Sequence, residues 1–118
     1  MSGISGCRPA GIDKVYYLAI DKREMLSTLT QYPDKDTVEF EGNAYSLWNP
    51  STSKLASMII KGMNIPLNKY SRVLYLGAAS GTTITRVSDI VSDGVVFAVE
   101  FAPRPARDLL KAIDKRVN

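Results

Sequence analysis

Residues Val73–Thr83 read VLYLGAASGTT, and residues Val95–Phe101 read VVFAVEF. Both open as short apolar runs without polar alternation, the pattern of strands covered on both faces. The first run delivers the chain into the small residues Gly77–Gly81, which read as a loop. Thr82–Val91 then places Ile84, Val87 and Val91 on one helical face, and Asp93-Gly94 turns the chain. After the second run, Pro103 or Arg104 opens a helix in which Ala106, Leu109, Leu110, Ile113 and Val117 share one stripe. Strand, helix, strand, helix in that order predicts an α/β fold, one βαβα unit forming the first half of an open parallel sheet. Two parallel strands with their helices make a poor core alone, so more sheet is expected after Asn118.

Upstream the pattern differs. Val15–Ile20 (VYYLAI) is aromatic and β-branched, and reads as a strand. Thr37–Phe40 and Ala44–Trp48 look extended, with Glu41-Gly42-Asn43 as a hairpin turn between them. The first dozen residues read as a loose terminus. Asn49-Pro50 breaks the strand pattern, and a helix is expected from Ser51 or Ser53 as N-cap, with Leu55, Met58 and Ile59 on its apolar face and Gly62 as its stop. The organisation expected is a small N-terminal β region over 1–50, followed by the α/β unit over 51–118. Trp48 is expected to pack the β region onto that helix; stacking on RNA bases is the other use of an aromatic there.

Composition sets the outer bounds. The 118 residues are 45% hydrophobic and 23% charged, the make-up of an ordinary globular protein. No apolar run is long enough to span a membrane, and MSGISGCRPAG has no apolar core of a secretory signal. One cysteine and no histidine give no disulfide and no zinc ligand set, so no metal is expected and a reducing compartment is the default. Cys7 is assigned no catalysis. Net charge is +3, uneven: −1 over residues 1–59 and +4 over 60–118. A basic second half suits a polyanion such as RNA, though a solvated surface explains it too. Arg104, Arg107, Lys111 and Lys115 make a basic stripe on the last helix, open to the same two readings.

The loop carries the chemistry. At a strand-to-helix junction free backbone N–H groups point toward a ligand, and Gly77 and Gly81 let it approach the main chain. Glu100 ends the second strand 23 residues after Gly77. In nucleotide-binding βαβ units an acid about 20 residues on accepts the ribose hydroxyls. The loop is G-x-x-x-G, with neither the G-x-G-x-x-G of dinucleotide sites nor the lysine of a P-loop. S-adenosyl-L-methionine, which has no phosphates, suits it better than NAD. A tight βα turn without ligand is the structural alternative.

From about Tyr45 to Val117 the chain resembles the fibrillarin family, especially its short archaeal form. The resemblance rests on Leu47-Trp48-Asn49-Pro50, Ser53-Lys54-Leu55-Ala56, Val73–Thr83, Val87–Val91, Val99-Glu100-Phe101 and Arg107-Asp108-Leu109-Leu110. Tyr75 stands where generic methyltransferases carry an acid, which also agrees with fibrillarin. The resemblance implies a Rossmann-like methyltransferase sheet that uses S-adenosyl-L-methionine to methylate ribose 2′-OH groups of pre-rRNA or rRNA and tRNA. It implies box C/D guide RNA, a Nop-domain scaffold protein and a kink-turn-binding ribosomal-type protein as partners. It implies an archaeal-type cytoplasmic setting, nucleolar if the source is eukaryotic. By the same resemblance Gly77, Ala78, Ser80, Gly81, Thr82 and Thr83 form the cofactor loop, Glu100 holds the ribose, Phe101 meets the adenine, and Lys54 lies near the reacting centre. Further catalytic residues of the family come from later strands. The chain is therefore expected to be the N-terminal, cofactor-binding part, inactive alone; a truncated, non-catalytic binding module is the alternative, and an NAD-linked enzyme a third.

Overall fold

Ile4–Pro9 (β1), Val15–Ile20 (β2) and Arg23–Leu29 (β3) form an antiparallel meander. Thr37–Phe40 (β4) and Asn43–Leu47 (β5) form a hairpin whose β5 pairs antiparallel with β3, giving a five-stranded sheet of order β1-β2-β3-β5-β4. The coordinates are a computed structural model, and they describe residues 3–77, 82–101, 103–113 and 116–118. Both tight hairpins have two-residue loops with positive φ at each position: Asp21 and Lys22 at 49° and 69°, Glu41 and Gly42 at 50° and 84°. That backbone matches the right-handed twist of the flanking strands.

Two expectations are corrected here. Residues 4–9 are not a loose terminus but the edge strand β1. ISGCRP has no apolar period to announce a strand; its pairing with β2 rests on backbone hydrogen bonds, with Arg8 adding contacts to Glu24 and the Tyr17 ring. Cys7 accordingly stands in a strand, its thiol 3.8 Å from the Tyr45 hydroxyl. Burial first, then Cys7, push that hydroxyl up to about 12. Strand β3 also adds a segment the pattern did not announce, because Asp21-Lys22 is not a usual glycine-bearing hairpin turn.

Lys54–Ile60 (α1) opens on Ser53, whose Oγ accepts the Ala56 N–H at 3.3 Å. It closes at Gly62, with φ of 80°, where the amides of Gly62 and Met63 return to the carbonyls of Ile59 and Met58. Trp48, 2% exposed, packs with Ala56 and Ile59 and with Val15, Leu26, Ile90 and Val91. The tryptophan thus joins sheet to helix, as its position suggested.

Arg72–Leu76 (β6), Thr82–Ile90 (α2), Val95–Val99 (β7) and Pro103–Ile113 (α3) complete the fold. β6 and β7 pair in parallel, Val73 opposite Val96 and Leu76 opposite Val99. A Cβ at Gly94 would collide with the Ser71 carbonyl, so only glycine lets β7 begin this close to β6. α2 is a middle layer: it packs on β3 on one side and on β7 and α3 on the other. Every residue from Ile84 to Val91 is buried.

The parallel strands are not covered on both faces. Val73, Tyr75 and Val96 pack inward against the cores. Leu74, Leu76 and Phe97 are 64%, 69% and 52% exposed. The runs are composed for two covered faces, and within these residues helices cover one. Likewise Leu109 and Ile113 of the α3 stripe pack on Ile84, whereas Leu110 is exposed, and Val117 lies beyond the helix and is exposed.

Candidate functional site

Parallel β6 and β7 point their carboxyl ends to the same side, where ligands of open α/β sheets bind. Gly77 leaves the sheet there with φ of 69°, its N–H donating to the Val99 carbonyl at 2.8 Å. That bond pins the loop entrance to the last residue of β7. Among the described residues, its chain neighbours aside, no heavy atom lies within 4 Å of where a Gly77 Cβ would stand. Glu100 follows Val99 directly and is half-buried; Phe101 presents its ring 91% exposed. Gly77, Glu100 and Phe101 are thus brought to one end of the strand pair. Ala78, Ser80 and Gly81 lie outside the described residues, as does the side chain of Thr82, the first residue of α2.

Thr83 follows in the first turn of α2, half-buried, and its hydroxyl donates to Ser53 Oγ at 3.0 Å. Ser53 is the N-cap of α1, and Lys54, next in sequence, is exposed. The fold therefore sets the start of α1 against the start of α2. On α3, Arg107 and Lys111 are exposed; the Arg104 side chain and Lys115 lie outside the described residues.

Sequence reasoning missed the polar seam that holds α2. Arg86 is fully enclosed, its Nε and Nη2 donating to the Leu47 carbonyl at 3.3 and 3.1 Å, with Asp34 and Asp36 carboxylates at 3.4 and 3.7 Å. Asp89 accepts from the hydroxyls of Thr28 at 2.6 Å and Thr30 at 2.9 Å, and pairs with Arg116 at 2.8 Å. Burial pushes the Asp89 carboxyl above the usual carboxylate range, while Arg116, Thr28 and Thr30 pull it back. The signal was present as Thr83, Arg86 and Asp89 at three-residue spacing, one side of a helix. A polar helix side ordinarily faces water, and only a second sheet packed there makes it internal.

The fibrillarin family model matches residues 9–118, nearly all of the chain. The chain belongs to the fibrillarin family. The fibrillarin-like rRNA/tRNA 2′-O-methyltransferase of Methanosarcina barkeri is 49% identical over 111 residues, covering 90% of this chain and 49% of that protein. Its counterpart in Methanocaldococcus jannaschii is 45% identical over 86 residues, 72% of this chain and 37% of that one. Aeropyrum pernix fibrillarin, solved with natively bound S-adenosyl-L-methionine, superposes with a TM-score of 0.88 at 33% identity, over 98% of this chain and 54% of that one. A fibrillarin in complex with Nop5p superposes at 0.75 and 40% identity, over 91% and 49%. The chain spans about half the length of the curated relatives it matches. With the family comes the expected fold class, a β region joined to the first strands of a methyltransferase sheet.

A glycine turn, a strand-end acid and an exposed aromatic are the residue types an adenosine-bearing ligand uses. Gly77 takes a positive φ and holds the Val99 carbonyl, and Glu100 and the exposed Phe101 follow Val99 in sequence. No group of three or more metal-ligating side chains gathers among the described residues, and no described helix is long and apolar enough to cross a membrane.

Proposed function

We propose that the chain is the cofactor-binding half of an S-adenosyl-L-methionine-dependent RNA 2′-O-ribose methyltransferase of the fibrillarin type. The observation that carries the reading is the side-by-side placement of Gly77 and Glu100 at the carboxyl end of the parallel strands, linked by the bond from Gly77 N–H to the Val99 carbonyl. Bound S-adenosyl-L-methionine supplies a methyl group in electrophilic form. Glu100 accepts the ribose hydroxyls through its carboxylate, Phe101 lies along the adenine, and the Gly77–Thr83 loop receives the rest against its backbone. Lys54 stands as a cation at the start of α1. In this reading it favours the charge that develops on the RNA ribose oxygen as its proton is lost.

The substrates in this reading are rRNA and tRNA, chosen by box C/D guide RNA, with a Nop-domain scaffold and a kink-turn-binding ribosomal-type protein as partners. A net charge of +3 neutralises few phosphates, which supports targeting by partners over intrinsic RNA affinity. The division into a β region over 1–50 and a cofactor-binding part over 51–118, and a cytoplasmic setting, belong to the same proposal. The reading of a non-catalytic binding module keeps the same adenosine site and differs only in turnover.

Isothermal titration tests the site. S-adenosyl-L-methionine and S-adenosylhomocysteine should bind. Glu100→Gln should weaken both by about 1.5–3 kcal/mol, the worth of a hydrogen bond to a charged group. Binding of NAD without S-adenosyl-L-methionine overturns the assignment.

A further inference from the structure

Lys54 is solvent-facing on a seven-residue helix, and a helix that short is not held in place by its own hydrogen bonds. Its start must be anchored from outside if Lys54 is to keep one place relative to the cofactor loop. The anchor is adjacent. Ser53 is 4% exposed, and its Oγ accepts two hydrogen bonds: from the Ala56 amide at 3.3 Å, which caps α1, and from the Thr83 hydroxyl at 3.0 Å, which belongs to α2. One oxygen therefore joins the two helix starts. Three residues further along α2, on the same side, Arg86 holds the Leu47 carbonyl at the other end of the connecting segment. Within that segment Asn49 closes its own turn, its side chain accepting from the Ser51 amide at 2.8 Å and its carbonyl from the Thr52 amide at 3.2 Å. The stretch from Leu47 to Ser53 is thus clamped to α2 at both ends.

We infer that Ser53 is a positioning residue of the cofactor site: through Thr83 it fixes Lys54 relative to the first turn of α2. The inference rests on the methyltransferase reading above.

The test uses the 118-residue chain and two variants that reach the same bond from opposite sides. Ser53→Gly removes the shared oxygen while leaving a residue that serves well as an N-cap. Thr83→Val removes the donor and leaves the cap untouched. Titration calorimetry follows S-adenosylhomocysteine affinity. NMR of the Lys54 side-chain methylene signals compares the chain bound to S-adenosyl-L-methionine, whose sulfonium is cationic, with the chain bound to S-adenosylhomocysteine, whose sulfur is neutral. In the unaltered chain the Lys54 signal should differ between the two complexes. In each variant that difference should shrink and affinity should fall about 3–10-fold, the scale of one neutral hydrogen bond. The double variant should be no worse than either single one. Circular dichroism melting of Thr83→Val keeps the test decisive if Ser53→Gly does not fold. If the unaltered chain binds neither ligand, the cofactor reading falls and this inference with it. If it binds both, and the variants match it in affinity and in the Lys54 difference, the inference alone is overturned.

Discussion

Gly77, at the end of β6, and Arg116, paired with Asp89 of α2, show how single residues hold this fold. Gly77 has φ of 69°, a conformation that costs an L-residue about 1–2 kcal/mol, while no described residue beyond its chain neighbours comes within 4 Å of a Cβ there. Gly77→Ala should therefore destabilise the chain by about that amount through backbone strain, not collision, in urea unfolding. It should also weaken S-adenosylhomocysteine binding, because the new methyl stands where the ligand approaches. Arg116 is buried against Asp89, and its removal leaves a buried carboxylate without its cation. Arg116→Met should cost about 3–5 kcal/mol at pH 7. The sign of its pH dependence follows from Asp89. Burial already raises that carboxyl above its unfolded value, and losing Arg116 raises it further. The folded variant then binds the proton more tightly than the unfolded chain, so its stability grows as pH falls through the raised value. The gap between variant and parent in urea midpoints should narrow from pH 7 to pH 5. A gap that widens on acidification contradicts the assignment of Asp89 as the penalised group.

At the scale of the element, α2 is held by polar contacts rather than by an apolar stripe alone. Its buried Arg86 spans from the Leu47 carbonyl to Asp34 and Asp36. Arg86→Met retains most of the side-chain volume and leaves the Leu47 carbonyl without that donor. The expected loss is about 1.5–3 kcal/mol, with hydrogen exchange rising first at the β5 end and in the first turn of α1. Uniform faster exchange across the molecule would mean that Arg86 serves global stability and not this clamp. β1 and β3 teach the complementary lesson. β1 has no period to read, and its hydrogen bonds to β2 decide it. The β2–β3 turn takes positive φ at Asp21 and Lys22, which the sequence does not mark with glycine.

At the scale of the whole molecule, two sheets share one helix. The five-stranded sheet covers one side of α2 and the β6–β7 pair the other. The outer face of that pair leaves Leu74, Leu76 and Phe97 in water, a contiguous apolar surface of the kind that drives association. The chain should self-associate reversibly at micromolar concentration in sedimentation velocity. Leu74→Lys with Phe97→Lys should return it to monomer without a loss of melting temperature, since neither side chain is in the core. A monomeric parent chain would show that this face is not sticky enough to matter.

The sequence by itself determined the βαβα order, a serine cap for α1 at Ser51 or Ser53 that the structure resolves to Ser53, the core role of Trp48 and the family. Each is written locally, in an apolar run, a cap residue or a motif such as VLYLGAASGTT. It also named Gly77, Thr83, Glu100 and Phe101, and the fold set Gly77, Glu100 and Phe101 at one strand end because parallel strands finish on the same side. Only the tertiary structure decided that the polar side of α2 is internal. Whether Arg86 and Asp89 meet water or Leu47, Thr28 and Thr30 depends on a sheet built 39 to 61 residues earlier. Only it decided, too, that Ser53 and Thr83 share a hydrogen bond, and that one face of β6 and β7 stays open. Local patterns specify what a segment can become; contacts between distant segments specify what its polar groups are paired with.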